Sequence, residues 1–234
     1  MTSKKQNNGI SRRNLLQIGG ASLLTMGLGL TLNPNSMAAE VPEISADQAL
    51  QKLKEGNQRY VSFKRNYPDQ DEVRLKTVAQ AQHPFAVVLG CADSRVPPAL
   101  LFDQGLGDLF VIRVAGNILD DGTLASIEFA TAELGVPLVM VLGHQRCGAV
   151  KATLDGGEVP GHISRLVEAI KPALIQIQDQ KGDRLDNAVR ANVKMVVGQI
   201  TASTPILADL VNKGKLKVVG GHYALDNGIV EIIA

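Results

Sequence analysis

Phe85-Ala86-Val87-Val88-Leu89-Gly90-Cys91-Ala92-Asp93-Ser94-Arg95 and Leu138-Val139-Met140-Val141-Leu142-Gly143-His144-Gln145-Arg146-Cys147 decide how this chain folds. Each begins as an unbroken apolar run of strand length and ends on a glycine followed by chemically active side chains. A strand with one wet face alternates apolar and polar residues, whereas an unbroken run needs cover on both faces, as in a parallel sheet between helices. Ligands of such sheets bind at the carboxyl ends of the strands. The two cysteines of the chain and a histidine therefore converge where a site is expected.

The flanking sequence supports this reading. Ser45-Ala46-Asp47-Gln48 has capping-box spacing, with Leu50, Leu53, Tyr60 and Val61 following on one helical face. Lys64 to Asp71, with Pro68, reads as a loop, and Leu109-Phe110-Val111-Ile112-Arg113-Val114 as another strand. Leu124, Ile127, Ala130 and Leu134 form a helical stripe stopped by Gly135. Ile163, Leu166, Val167 and Ile170 form a second stripe that Pro172 bends or breaks. Leu185, Ala188, Val189, Asn192, Val193, Val196, Val197 and Ile200 form a third. Leu216 to Gly220 is a late strand, and Asp226-Asn227-Gly228 the tight turn of a closing hairpin with Ile229 to Ile233. The expected fold is α/β: a mostly parallel β-sheet flanked by helices, with a C-terminal antiparallel edge strand.

Residues 1–38 read as a removable leader. Ser11-Arg12-Arg13-Asn14-Leu15-Leu16 is a twin-arginine signal, the stretch from Leu15 to Leu32 is uncharged, and Ser36-Met37-Ala38 offers small residues for cleavage. An uncleaved anchor is disfavoured by the glycines, threonines and Gln17 of that stretch. The reading implies recognition of residues 1–38 by the twin-arginine export machinery and an exported protein, periplasmic or, in a phototroph, in the thylakoid lumen. Residues 39–234 are expected to form one domain. The leader carries Lys4, Lys5, Arg12 and Arg13 and no acid, so its removal turns a formal charge of +1 into 20 basic against 23 acidic side chains. No clustered basic face suggests nucleic acid. The chain has no Trp and 3% aromatic residues, so its core must be built from Val, Leu, Ile and Ala.

Two thiols and an imidazole with an open fourth position match a catalytic zinc, one per chain, with Cys91, His144 and Cys147 as ligands. Such a centre supplies hydroxide near neutral pH. Asp93, two residues from Cys91, can reach the fourth position or the bound water, and Arg95 can hold its carboxylate in a two-pronged pair. An ionised Asp93 would orient the hydroxide, whereas Asp93 on the metal would close the site. A single disulfide is the plain alternative for two cysteines in an exported chain, and a structural zinc would need a further Cys or His.

Cys91-Ala92-Asp93-Ser94-Arg95-Val96-Pro97 together with Gly143-His144-Gln145-Arg146-Cys147-Gly148-Ala149-Val150 resembles the β-class carbonic anhydrases. The likeness extends through Leu53 to Asn57, Gly107 to Asn117, Ser126 to Ala130 and Tyr223 to Asp226. It implies reversible hydration of CO2 to bicarbonate and a proton, with zinc on Cys91, His144 and Cys147 and a catalytic dyad of Asp93 and Arg95. Asp93 would be a fourth ligand in a closed state. Gln104 resembles a substrate-binding glutamine, and a homodimer or larger homo-oligomer is implied, with the early helix packing on its partner. Relatives on this scaffold that hydrolyse CS2 or COS keep a second substrate open. His83, His162 and His222 are expected to be surface or structural residues.

Overall fold

The structure is a computed structural model and describes residues 44–234; the expected leader lies outside the described residues. Five strands form one sheet: β1 (Ala86–Gly90), β2 (Leu109–Arg113), β3 (Leu138–His144), β4 (Lys217–Tyr223) and β5 (Val230–Ile232), in the order β2-β1-β3-β4-β5. The first four are mutually parallel and β5 runs antiparallel to β4. The expected fold class is the observed one. β1 and β3, the two apolar runs, are central and buried at every position.

Both faces of these strands are covered, and successive residues serve opposite layers. Val88, Met140 and Leu142 pack with Leu53 of α1 (Ala46–Val61) and with Leu101 and Phe102 at the end of α3 (Pro98–Leu101). Val87, Leu89, Val139 and Val141 pack instead on Ile127 of α4 (Asp121–Glu128) and on Val193, Val196 and Ile200 of α7 (Arg184–Ala202). A third cluster caps the carboxyl ends of the strands, joining Cys91 and Cys147 to Val150 of α5 (Gly148–Asp155), Ile170 of α6 (Ile163–Ile170) and Val189 of α7. Each buried Val, Leu or Ile contributes about 1.5–3 kcal/mol relative to exposure, so the strands that carry the cysteines and histidine are also the best anchored.

Local signals set the helix ends. Ser45 caps α1 through its hydroxyl on the Gln48 N–H, and Gln48 Oε1 accepts from the Ser45 N–H. The stripe ending at Gly135 becomes α4 followed by one wider turn over Phe129–Glu133. Pro172 ends α6, and the chain continues as tighter turns over Lys171–Ile177. Two short helices went unread: α2 (Glu72–Val78), which buries no residue, and α8 (Leu207–Asn212). α2 rests on its Asp71 cap, where the side chain accepts from the Arg74 N–H, so it leaves no apolar stripe to detect.

α7 lies close on β3 because residue 143 is glycine. A β-carbon there would sit 2.5 Å from Val193 Cγ2. On the other layer, buried Asn57 ties three elements together. Its Nδ2 donates to the carbonyls of Leu101 and Gly228, and its Oδ1 accepts from the Val230 N–H. Asn57→Leu would strand three backbone groups in the interior, so a loss of about 2–4 kcal/mol in chemical denaturation is expected. A loss under about 1 kcal/mol would mean that water replaces the amide. Among the described residues, no helix is long and apolar enough to cross a membrane.

Candidate metal centre

β1 ends at Gly90, and Cys91 follows at the sheet's carboxyl edge, buried beneath the cluster around α5 to α7. The parallel ladder runs one step further, with the Val114 N–H donating to the Gly90 carbonyl and the Ala92 N–H to Val114. β3 ends at His144, and the Gln145 N–H still pairs with the Tyr223 carbonyl of β4. Arg146 then takes a left-handed φ of 53°, reversing the chain so that Cys147 can start α5. A two-residue spacer thus returns the Cys147 sulfur to the histidine just passed.

Cys91 Sγ, Cys147 Sγ and one ring nitrogen of His144 lie within 4.8 Å of one another, and all three side chains are buried. The cysteines are free thiols with their sulfurs 4.0 Å apart. Two thiolates on a tetrahedral zinc stand about 3.8 Å apart, given zinc–sulfur bonds of about 2.3 Å. His144 Nδ1 lies 2.9 Å from the Gln145 carbonyl, which fixes the tautomer with the proton on Nδ1. Its Nε2 lone pair is left buried without a hydrogen-bond partner. A buried, unpartnered imidazole nitrogen facing two thiols suits a soft divalent cation, and the donor set is that of zinc.

The thiols titrate as a pair. Cys91 is pulled from the ordinary thiol range to about 4, first by the hydrogen bond from Cys147. Burial opposes this, and the N–H groups of Gly116 and Asp93 add to it. Cys147 is pushed far up by its bond to Cys91, by burial and by the negative charge of Cys91. One thiolate forms readily and the second only against that charge, so a cation is the natural partner for both.

Asp93 stands at the rim. Its Oδ1 accepts from the backbone N–H and Nε of Arg95, its Oδ2 from Nη2 at 2.7 Å, and Oδ2 lies 3.9 Å from His144 Nε2. The Arg95 guanidinium holds this carboxyl well below the usual carboxylate range, against partial burial. In this arrangement Asp93 belongs to Arg95 and stands outside the close group of three. Gln104 is buried, and its Nε2 donates to the Phe102 carbonyl at 2.7 Å. His83 and His162 are exposed, whereas His222 is buried on β4, its Nε2 2.7 Å from Asp186 of α7.

Several residues at the centre had no role in the sequence reading. Arg113, at the end of β2, donates from Nε to the Cys91 carbonyl and from Nη2 to the Asp93 carbonyl, holding that loop from the neighbouring strand. The Gly116 N–H donates to Cys91 Sγ at 3.3 Å. Arg146 forks onto Asp226 in the β4–β5 turn, at 2.7 and 3.0 Å, which tethers the spacer between His144 and Cys147. These residues lie in stretches legible in the sequence, but their contacts with one another are not written there.

Comparison with known proteins places this geometry. Residues 86–230 match the protein family described as carbonic anhydrase. Over 196 residues the chain is 42% identical to a carbonic anhydrase of Mycolicibacterium smegmatis, covering 82% of this chain and 95% of that protein. It is 38% identical over 192 residues to carbonic anhydrase 2 of Mycobacterium tuberculosis, covering 80% and 93%. Among solved structures, the Coccomyxa β-carbonic anhydrase in complex with acetazolamide aligns with a TM-score of 0.64 at 29% identity, covering 79% of this chain and 86% of that one. A tetrameric β-carbonic anhydrase of Sordaria macrospora aligns with a TM-score of 0.64 at 25% identity, covering 79% and 96%. The chain belongs to the β-class carbonic anhydrase family.

Proposed function

We propose that this chain is a zinc enzyme that reversibly hydrates CO2 to bicarbonate and a proton. One observation carries the reading: the buried Cys91–His144–Cys147 group, with the Asp93–Arg95 fork 3.9 Å from its imidazole, on this family's sheet. Cys91, His144 and Cys147 would hold the zinc. When bound, the metal supplies Lewis acidity that brings the loss of a water proton toward neutral pH, tempered by two thiolates.

Asp93 stays charged because Arg95 favours its carboxylate, and Oδ2 is the oxygen facing the imidazole. It accepts a hydrogen bond from the attacking oxygen and turns that oxygen's lone pair toward the carbon of CO2. Arg95 holds both carboxylate oxygens and the backbone of its own turn, so Asp93 is oriented before substrate arrives. Arg113 fixes the carbonyls of Cys91 and Asp93 and so sets the distance between ligand and acceptor.

Zinc content and CO2 hydration rate, measured together from about pH 6.5 to about pH 9, test the reading, because that range brackets the titration of water on such a metal. About one zinc per chain, with a rate that rises with pH, is expected. Zinc without CO2 turnover would move the assignment to CS2 or COS. Absence of zinc from the purified chain, with Cys91 and Cys147 joined, would overturn it.

Two further readings accompany the first. The chain is exported through a twin-arginine leader at residues 1–38, supported by Arg12-Arg13 and the uncharged stretch after them. It forms a homo-oligomer, supported by Val111 on edge strand β2 and by Phe129, which remain 40% and 50% exposed, and by the tetrameric Sordaria relatives. N-terminal sequencing of the exported protein should begin at Ala39, and its mass in solution should be a multiple of the chain's. An intact N-terminus or a monomeric mass would remove the respective reading.

A further inference from the structure

Asn192 is out of place by every local rule. It sits in the middle of α7, 1% exposed, on the face that carries Val189, Val193 and Val196 into the core. Asn is a poor helix former, and burying an amide is costly unless its groups are paired. A leucine would continue the apolar stripe. The amide makes one hydrogen bond, from Nδ2 to the Gly116 carbonyl at 2.9 Å, and its Oδ1 is buried without a partner. A side chain kept at that cost points to the group it holds.

That group is the residue touching Cys91. Gly116 has φ 73° and ψ 15°, and Asn117 beside it has φ 43°, two successive left-handed residues. This conformation aims the Gly116 N–H at Cys91 Sγ, 3.3 Å away. An isolated left-handed pair after the end of β2 has little of its own to hold it, since such residues relax unless their surroundings dictate the geometry. The Asn117 N–H reaches back to Val114, and the bond across to α7 is Asn192 Nδ2 on the Gly116 carbonyl.

We propose that Asn192 is a positioning residue of the metal centre: by holding the Gly116 carbonyl it keeps the Gly116 N–H on the Cys91 sulfur. The inference rests on the zinc reading above. An N–H donated to a metal-bound thiolate withdraws electron density from the sulfur and fixes its direction, and outer partners of this kind tune metal affinity about 10–100-fold. α7 is therefore a functional wall of the site as well as the layer that covers the sheet.

The test uses the full zinc-loaded chain and three variants: Asn192→Ala and Asn192→Leu, which both remove the amide, the first leaving space and the second filling it, and Val196→Ala, a buried packing loss on the same helix. Two readouts are taken besides activity: the rate of zinc transfer to excess EDTA, and the sulfur-to-metal charge-transfer band of the cobalt-substituted protein. Both Asn192 variants should release zinc about tenfold faster. Their cobalt band should move to longer wavelength, because a sulfur without its N–H partner gives up charge more easily. Val196→Ala should lower thermal stability and leave both readouts at wild type. The proposal is overturned if folded Asn192 variants keep wild-type release and band. It falls equally if Val196→Ala moves both as far, or if neither Asn192 variant folds, which would assign Asn192 to the core. A wild-type chain without zinc would instead remove the reading beneath it.

Discussion

Asp93→Asn is expected to lower the CO2 hydration rate about 10²–10⁴-fold while zinc stays bound, the usual range for losing a positioned proton acceptor. Asn keeps the shape but offers one oxygen where the carboxylate offers two. In the present arrangement Arg95 engages both, so the amide nitrogen would face either the guanidinium or the attacking oxygen, and each wants an acceptor. The pH dependence carries a sign that separates the roles. Arg95 holds the Asp93 carboxyl well below the carboxylate range, so Asp93 is already charged at neutral pH and its ionisation cannot produce a rise in rate there. The residual activity of the variant should therefore keep the wild-type midpoint at a lower plateau. Stopped-flow rates beside zinc analysis decide it. An unchanged rate would remove the dyad from the mechanism, and loss of zinc would make Asp93 a ligand.

Gly116→Ala is expected to cost about 2–5 kcal/mol and to loosen the metal. A side chain in the left-handed region costs about 1–2 kcal/mol, and overpacking a filled core costs typically about 1–3 kcal/mol more. Both apply, because the new β-carbon would lie 2.7 Å from Ile170 Cδ1 and 3.1 Å from Ala149 Cβ at φ 73°. Any shift of residue 116 to make room moves the N–H that Cys91 accepts from, and any shift of α5 moves Cys147 at its start. Gly135→Ala separates the two costs, since Gly135 has φ 70° with nothing within 4 Å of its β-carbon position. The Gly135 variant should lose only the conformational part, and the Gly116 variant should melt roughly 2–12 °C below it, at about 2–4 °C per kcal/mol. Equal melting temperatures would mean that Ile170 yields without effect.

These two residues differ in how far the chain announces them. Asp93 and Arg95 are legible because their chemistry is local: the pair spans two positions of one turn, directly after an apolar run. Cys91, His144 and Cys147 are legible for a similar reason, since each ends or follows a strand whose burial is written into an unbroken run. α1 was marked by its capping box, and α7 by a stripe long enough to rise above noise. α2 buries no residue fully, so no apolar stripe marks it. Gln104 bonds the Phe102 carbonyl, a contact that no spacing rule contains.

Residue types and their periods were sufficient for the parallel sheet, the carboxyl-end position of the site and the three side chains there that could hold a metal ion. Those properties follow from which residues avoid water and which groups bind a soft cation. The tertiary structure alone decided what holds these groups in place: Arg113 on the Cys91 carbonyl, Gly116 on the Cys91 sulfur, Asp226 on Arg146 and Asn192 on Gly116. The partners in these contacts stand 22, 25, 80 and 76 residues apart. The first three depend on how neighbouring strands are registered, and the last on the depth at which α7 seats on Gly143. A hydrogen bond acts over about 3 Å, and only the assembled fold brings such distant residues that close.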